Sequence, residues 1–216
     1  MPTECTFSIP RTARYAMLGT PDAGIRDVWV VCHGYGQLAA NFLMEFEPLR
    51  ARHRLIVAPE GLSRFYVRGE SGQVGASWMT REARLHEIAD YVGFLDQLYS
   101  HIQALLGGPS PRLILLGFSQ GTATVCRWVA RGQVRPDRVV LWGGPLLPDE
   151  EMAEARERLT PFRFTLVAGT KDRYVSGDAL SREVARFRSY GIACDVITFD
   201  GKHHIDAAVL RQLGAR

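Results

Sequence analysis

The sequence lacks the features that would assign it to several specialised classes of protein. No apolar run approaches the roughly 20 residues needed to cross a bilayer, so we expect no integral membrane segment. The net charge is only +3 and is scattered along the chain, so nucleic acid is not an expected partner. The first residues, Met1 to Cys5, do not show the basic-then-apolar pattern of a signal peptide.

Cysteine is scarce as well. The four cysteines, at 5, 32, 126 and 194, are far apart, which predicts free thiols and no disulfide framework. Free thiols are typical of a reducing compartment, so the predicted location is cytoplasmic. The chain has no His-Glu-x-x-His motif and no paired cysteines, so we expect no metal site, even at the adjacent His203 and His204.

What the sequence does contain is an alternation of strand and helix patterns. Its 216 residues and 46% hydrophobic content predict one domain, 1–216, with an ample core. Apolar residues spaced three or four apart predict a long helix from Leu85 to Leu106. The alternation predicts an α/β fold with a mostly parallel central sheet and helices on both faces. We expect an antiparallel pair at 6–9 and 14–18, then strands at 27–32, 55–58, 112–116, 138–142, 163–168 and 194–199.

The segment Gly117–Gly121, Gly-Phe-Ser-Gln-Gly, stands between the apolar run 111–116 and a helical pattern over 122–130. Gly-x-Ser-x-Gly between a strand and a helix is the nucleophile elbow of α/β-hydrolases. The serine sits on a sharp turn, where flanking residues without a Cβ relieve crowding. Ser119 is therefore the predicted nucleophile, at a helix start that favours developing negative charge.

A serine hydroxyl needs a base and a group that orients the base. In α/β-hydrolases the order along the chain is Ser, then Asp or Glu, then His. Asp172 follows the predicted strand 163–168 and is the expected acid, with Asp178 as the alternative. His203 and His204 both follow the last predicted strand, and their positions leave the choice of base open.

The loop after the strand at 27–32 is a candidate oxyanion hole. Acyl transfer needs two N–H donors directed at the carbonyl oxygen as it becomes negative. Glycines on both sides of Tyr35 allow close backbone approach, so the Tyr35 N–H is one expected donor. The N–H of Gln120, directly after the nucleophile, is the other. His33 precedes the serine along the chain, and we expect it to be structural, hydrogen-bonded beneath the loop.

Two segments are candidate walls of a substrate pocket. The irregular stretch Glu60–Thr80 is longer than most loops in a compact domain, which favours a functional role. Trp78 is the expected substrate contact within it. The second segment, Gly143–Pro148, follows a strand and presents Leu146 as the expected contact.

Four segments together resemble the small α/β-hydrolases of the carboxylesterase, phospholipase and acyl-protein thioesterase group. They are His33–Gly36, Gly117–Gly121, Gly169–Val175 and Gly201–His203. The resemblance covers most of the chain and implies the single-domain α/β-hydrolase fold.

The resemblance also favours His203 as the base, because similar proteins place the catalytic histidine after a glycine-containing turn. The chain departs from the family pattern at two positions. Gln37 stands where an acid is common, and Thr122 stands where a glycine is common. Both departures bear on the identity of the substrate more than on the reaction.

These expectations combine into one reaction. Ser119, Asp172 and His203 would hydrolyse carboxylic esters, or thioesters, of short to medium acyl chain through an acyl-enzyme intermediate, with no cofactor. The expected partner is a small-molecule ester or thioester, and the protein itself is a monomer or homodimer. The alternatives are an acyltransferase or perhydrolase that uses the same serine, and a non-catalytic ligand-binding module on the same fold.

Overall fold

A seven-stranded sheet forms the centre of the structure, a computed structural model in which residues 2–215 are described. Its strands, named in chain order, are β1 (Tyr15–Leu18), β2 (Asp27–Cys32), β3 (Arg54–Pro59), β6 (Arg112–Phe118), β7 (Arg138–Trp142), β8 (Phe164–Gly169) and β9 (Cys194–Phe199). The strands β4 (Ser63–Tyr66) and β5 (Val74–Ser77) form a separate hairpin. The order across the sheet is β1-β3-β2-β6-β7-β8-β9, and its neighbouring strands are parallel except for β1 and β3.

Burial explains why the central strands read as continuous apolar runs in the sequence. Every residue of β2, β3 and β8 is buried, as expected for parallel strands that are covered on both faces. The edge strand β9 instead alternates between half-buried and exposed residues along most of its length. The apolar runs therefore mark the interior of the sheet.

Helices cover both faces of the sheet and create two cores. The helices are α1 (Ala39–Leu43), followed by a 3₁₀ helix (Met44–Leu49), α2 (Arg84–Leu106), α3 (Gln120–Arg131), α4 (Asp149–Leu159), α5 (Gly177–Ser189) and α6 (Ala207–Gly214). Side chains of α2, α3, α4 and α5 share one core, and those of α1, the 3₁₀ helix and α6 share the other. The predicted α/β fold, with a mostly parallel sheet between helices, is confirmed.

Two local predictions are wrong. Residues 6–9 form no strand, so the predicted pairing of 6–9 with 14–18 does not occur. The strand β1 pairs instead with β3, which lies some forty residues further along the chain. The stretch Glu60–Thr80, expected to be irregular, contains the hairpin of β4 and β5. In the described chain, no helix has the length and apolar character required to cross a membrane.

Candidate active site

Ser119 occupies a strained turn between β6 and α3. Its backbone has φ +53° and ψ −118°, a conformation that costs a non-glycine residue about 1–3 kcal/mol. A Cβ added to Gly117 would lie 2.2 Å from the carbonyl oxygen of Gly121, and one added to Gly121 would lie 2.2 Å from that of Cys32. Backbone therefore packs directly on backbone around the serine, which is the geometry of a nucleophile elbow.

Asp172 and His203 lie against each other at the carboxyl ends of the strands. Asp172 Oδ2 is 2.8 Å from His203 Nδ1, and the aspartate side chain is only 2% exposed. Its other oxygen accepts hydrogen bonds from the backbone N–H groups of Tyr174, at 2.8 Å, and Val175, at 3.3 Å. These bonds fix the carboxylate in one position, so it can hold the imidazole in one orientation.

Only one of the two adjacent histidines reaches this carboxylate. When Asp172 accepts the proton on Nδ1, the free ring nitrogen of His203 is Nε2, which is the tautomer of a general base. The ring of His203 lies 4.7 Å from that of Phe118, the residue before the nucleophile. His204 is exposed, and its ring packs edge-on against Phe199. The structure groups His203 with the aspartate and the elbow, and leaves His204 outside.

Two residues that the sequence analysis included only within longer segments, without individual roles, complete the surroundings of this pair. Gly143 follows β7 with φ +60°, and a Cβ there would lie 3.2 Å from Asp172 Oδ2 and 3.3 Å from His203 Nδ1. A side chain at this position would crowd both groups. Tyr174 lies edge-on to His203 with ring centroids 4.6 Å apart, and it is 62% exposed. Their position just after a strand is the sequence signal that could have identified them.

The side chains of His33 and Gln37 hold the loop that follows β2. His33 Nδ1 lies 2.7 Å from the carbonyl oxygen of Gly34, and Nε2 accepts a hydrogen bond from the Gly61 N–H at 2.9 Å. Gln37 Oε1 accepts from the Gly34 N–H at 2.8 Å. A Cβ on Gly34 would lie 3.0 Å from the Cβ of Ser119, so the loop is directly beside this serine. Burial lowers the pKa of His33, which is consistent with a neutral supporting ring.

The two expected oxyanion donors border the serine from different sides. Within residues 2–215, the backbone N–H of Tyr35 has no hydrogen-bond partner, although its neighbours on both sides are held. Gln120 is the first residue of α3, where backbone N–H groups have no intrahelical acceptor. Both N–H groups are therefore available to a substrate oxygen.

Thr122, one of the two departures from the family pattern, ties the elbow to the segment Gly143–Pro148. Its hydroxyl donates to the carbonyl oxygen of Ser119 at 2.8 Å and also contacts that of Pro145. A glycine at this position would have no side chain to make these two contacts. Threonine at position 122 is therefore compatible with the turn at Ser119.

The expected substrate contacts at Trp78 and Leu146 do not fit the structure. Trp78 is 2% exposed, its ring lies 5.0 Å from that of His33, and its indole N–H donates to the carbonyl oxygen of His33 at 2.8 Å. Leu146 is 7% exposed and borders a cavity of about 20 Å³, which has room for one water molecule and not for an acyl group. Both side chains are core residues. Asp178, the alternative acid, lies exposed in the first turn of α5.

A profile of the family described as Phospholipase/Carboxylesterase matches residues 15–214, which is nearly the whole chain. The chain belongs to the phospholipase/carboxylesterase family. It is therefore a hydrolase of the kind that acts on esters, and Ser119, Asp172 and His203 lie within the matched range. No curated protein sequence matches the chain significantly.

Solved structures with the same fold include proteins named as esterases and as a thioesterase. Esterase PE8 is 21% identical in sequence and superposes with a TM-score of 0.69. The match covers 95% of this chain and 97% of the PE8 chain. A carboxylesterase from Mesorhizobium loti is 20% identical with a TM-score of 0.68 and covers 94% of each chain. Acyl-protein thioesterase 2 from Zea mays is 18% identical with a TM-score of 0.68, covering 94% of this chain and 99% of its own. At these identities the likeness shows a shared fold.

Proposed function

We propose that the chain is a serine esterase in which Ser119, Asp172 and His203 form the catalytic triad. The observation that carries the proposal is the 2.8 Å contact between His203 Nδ1 and the buried carboxylate of Asp172, beside a serine on a strained elbow. An imidazole oriented in this way presents Nε2 as a base for a nearby hydroxyl.

In the first step, His203 Nε2 takes the proton of the Ser119 hydroxyl as the oxygen attacks the carbonyl carbon of the ester. Asp172 stabilises the imidazolium that results. The N–H groups of Tyr35 and Gln120 bind the oxygen that becomes negative. When the tetrahedral intermediate collapses, the bond to the alkoxide oxygen breaks, this oxygen takes the serine proton from His203 and leaves as the alcohol, and the acyl group stays on Ser119.

In the second step, water attacks the acyl-enzyme with His203 again acting as base, and the carboxylic acid leaves.

The Ser119 hydroxyl has no hydrogen-bond partner among residues 2–215. Catalytic hydrogen bonds are often long without substrate and shorten when it binds, so the bond to Nε2 forms in the reacting complex.

Short to medium acyl chains fit the open surroundings of the site. The rings of Tyr35 and Tyr174 are each 62% exposed, and the His203 side chain is 18% exposed. A small ester can reach the serine directly from solvent, between aromatic surfaces that bind apolar groups. The same chemistry cleaves thioesters, which is the activity named for the maize structure of the same fold.

We further infer that residues 1–216 act as one domain, located in the cytoplasm as a monomer or homodimer. The match over residues 15–214 supports one domain. Free cysteines support a reducing compartment, since Cys32 and Cys126 are both buried and unpaired. Burial raises the pKa of the Cys126 thiol to about 12, so this thiol is protonated and unreactive at neutral pH.

The proposal is tested by hydrolysis of p-nitrophenyl acetate, butyrate and octanoate by the wild type, Ser119→Ala, His203→Ala and His204→Ala. We expect Ser119→Ala and His203→Ala to lose at least about 10³-fold in kcat, since triad members act as a unit. His204→Ala should keep kcat within about threefold, because its ring lies outside the site.

Turnover that persists in Ser119→Ala would contradict the triad. Equal losses in both histidine variants would contradict the assignment of His203. Absence of turnover in the wild type on all three esters would favour the non-catalytic alternative.

A further inference from the structure

The segment Ala76–Met79, called the brace below, lies between the loop that contains Tyr35 and the start of α3, where Gln120 lies. It consists of the last two residues of β5 and the two residues that follow. Its first three residues are at most 2% exposed. The mechanism above gives it no role.

On one side, the brace holds the loop that contains Tyr35. The Gly36 N–H donates to the carbonyl oxygen of Ala76 at 2.9 Å, and the Ala76 N–H donates to that of Gln37 at 3.3 Å. The Trp78 indole N–H donates to the carbonyl oxygen of His33 at 2.8 Å. These three bonds hold the backbone before and after Tyr35, at His33, Gly36 and Gln37.

On the other side, the brace holds Gln120 by its side chain. Gln120 Nε2 donates to the carbonyl oxygen of Met79 at 2.9 Å, and Oε1 accepts from the Trp78 N–H at 3.1 Å. The Ser77 hydroxyl is 3.1 Å from Nε2. The side-chain amide therefore anchors the residue whose backbone N–H is the second donor.

We propose that the brace, through the Gln120 side-chain amide and the Trp78 indole, sets the separation of the two oxyanion donors. The inference rests on the proposed function and assigns Gln120 and Trp78 a positioning role through their side chains. Both donors must lie about 2.7–3.1 Å from one oxygen atom, and a shift of about 1 Å can cost 10²-fold in rate. A mostly buried segment that is hydrogen-bonded to both donor regions supplies that rigidity.

The position of the brace determines which kinetic constant it affects. Among residues 2–215, the contacts of the His203 ring are with Asp172, Phe118 and Tyr174, and none is with the brace, so we expect loss of the brace to leave ground-state binding intact. The donors act on charge that appears only in the transition state. Disturbing the brace should therefore lower kcat and leave KM unchanged.

The test uses Gln120→Met and Trp78→Phe, which remove the hydrogen-bonding groups and keep most of the volume. With p-nitrophenyl butyrate, we expect kcat to fall about 10- to 100-fold with KM within about twofold. The matched controls are Gln212→Met, at an exposed glutamine of α6, and Trp128→Phe, at a buried tryptophan whose indole bonds Asp96 at 2.8 Å. Both controls should keep kcat.

A second readout is the inhibition constant of an alkyl trifluoromethyl ketone. Ser119 Oγ adds to the ketone carbon, the π pair moves to the ketone oxygen, and the serine proton passes to His203. The adduct has an oxyanion and therefore reports on the donors directly. We expect affinity to weaken in Gln120→Met and Trp78→Phe by the same factor as kcat.

Thermal unfolding of each variant separates positioning from stability. The inference is overturned if the brace variants keep both kcat and ketone affinity, or if Trp128→Phe loses as much kcat as Trp78→Phe at equal stability. If one of the two brace variants does not fold, the other decides on the same two readouts. A wild type that turns over no ester overturns the proposed function itself, whereas an active wild type with unaffected variants overturns only the brace.

Discussion

At the scale of single residues, His33 shows how a conspicuous histidine can be structural. Its Nδ1 donates to the carbonyl oxygen of Gly34, and its Nε2 accepts from the Gly61 N–H, so the ring must be neutral to make both bonds. Burial lowers its pKa from the usual 6.5, outweighing the bond to Gly34 and the nearby charge of Glu60. Two backbone segments beside the active site thus depend on an unprotonated ring.

We predict that this histidine makes stability fall below pH 6.5. The unfolded chain binds a proton there while the folded chain does not, so the free energy of unfolding decreases by up to about 1.4 kcal/mol per pH unit. The loss stops once pH falls below the folded pKa. NMR titration of the His33 ring should give a pKa below 6.5, and urea unfolding of wild type and His33→Gln should differ less at pH 5.5 than at pH 7.5. A ring that titrates at or above 6.5 would contradict the prediction.

At the same scale, the three residues of the proposed triad could be selected from the sequence because each candidate depends on residue type and order along the chain. Sequence reasoning could not assign Trp78, since an aromatic residue in a glycine-rich stretch is equally compatible with a pocket wall and a core. The bond between its indole and His33 decides for the core. The choice between His203 and His204 likewise needed the position of Asp172.

At the scale of elements, the elbow is defined by how closely α3 approaches the sheet. A Cβ at Gly121 would lie 2.2 Å from a backbone oxygen of β2. Gly93, in the interior of α2, has open space around its missing Cβ. The same substitution at these two glycines should therefore have opposite effects.

We predict that Gly121→Ala lowers the free energy of unfolding by at least about 2 kcal/mol, because α3 must move away from β2. Gly93→Ala should raise it by about 0.5–1 kcal/mol, since alanine loses less backbone entropy in a helix. Urea denaturation followed by circular dichroism measures both. Equal stability of the two variants would show that the close approach at the elbow is not a constraint.

The elements that could be predicted are those with buried faces. The strands β2, β6 and β8 read as apolar runs because helices cover both of their faces. The hairpin of β4 and β5 was missed because each strand has four residues, and β4 alternates half-buried and exposed positions without apolar regularity. β1 pairs with a distant strand, and nothing local in the sequence specifies that partner.

At the scale of the whole molecule, the site depends on parallel topology. Ser119, Asp172 and His203 are far apart along the chain, and each follows a strand whose carboxyl end lies at the same edge of the sheet. This common edge is why their grouping could be predicted from strands alone. The order of strands across the sheet and the brace could not be predicted, because they depend on contacts between segments distant in sequence.

The central claim is that folding brings His203 and Asp172 together to activate Ser119. A fluorophosphonate tests it most directly, since phosphonylation needs the activated oxygen and leaves a stable adduct. Mass spectrometry should find the adduct on the peptide that contains Ser119, with a rate that falls at least about 10²-fold in His203→Ala and stays within about threefold in His204→Ala. An adduct at another residue, or an unchanged rate in His203→Ala, would contradict the account.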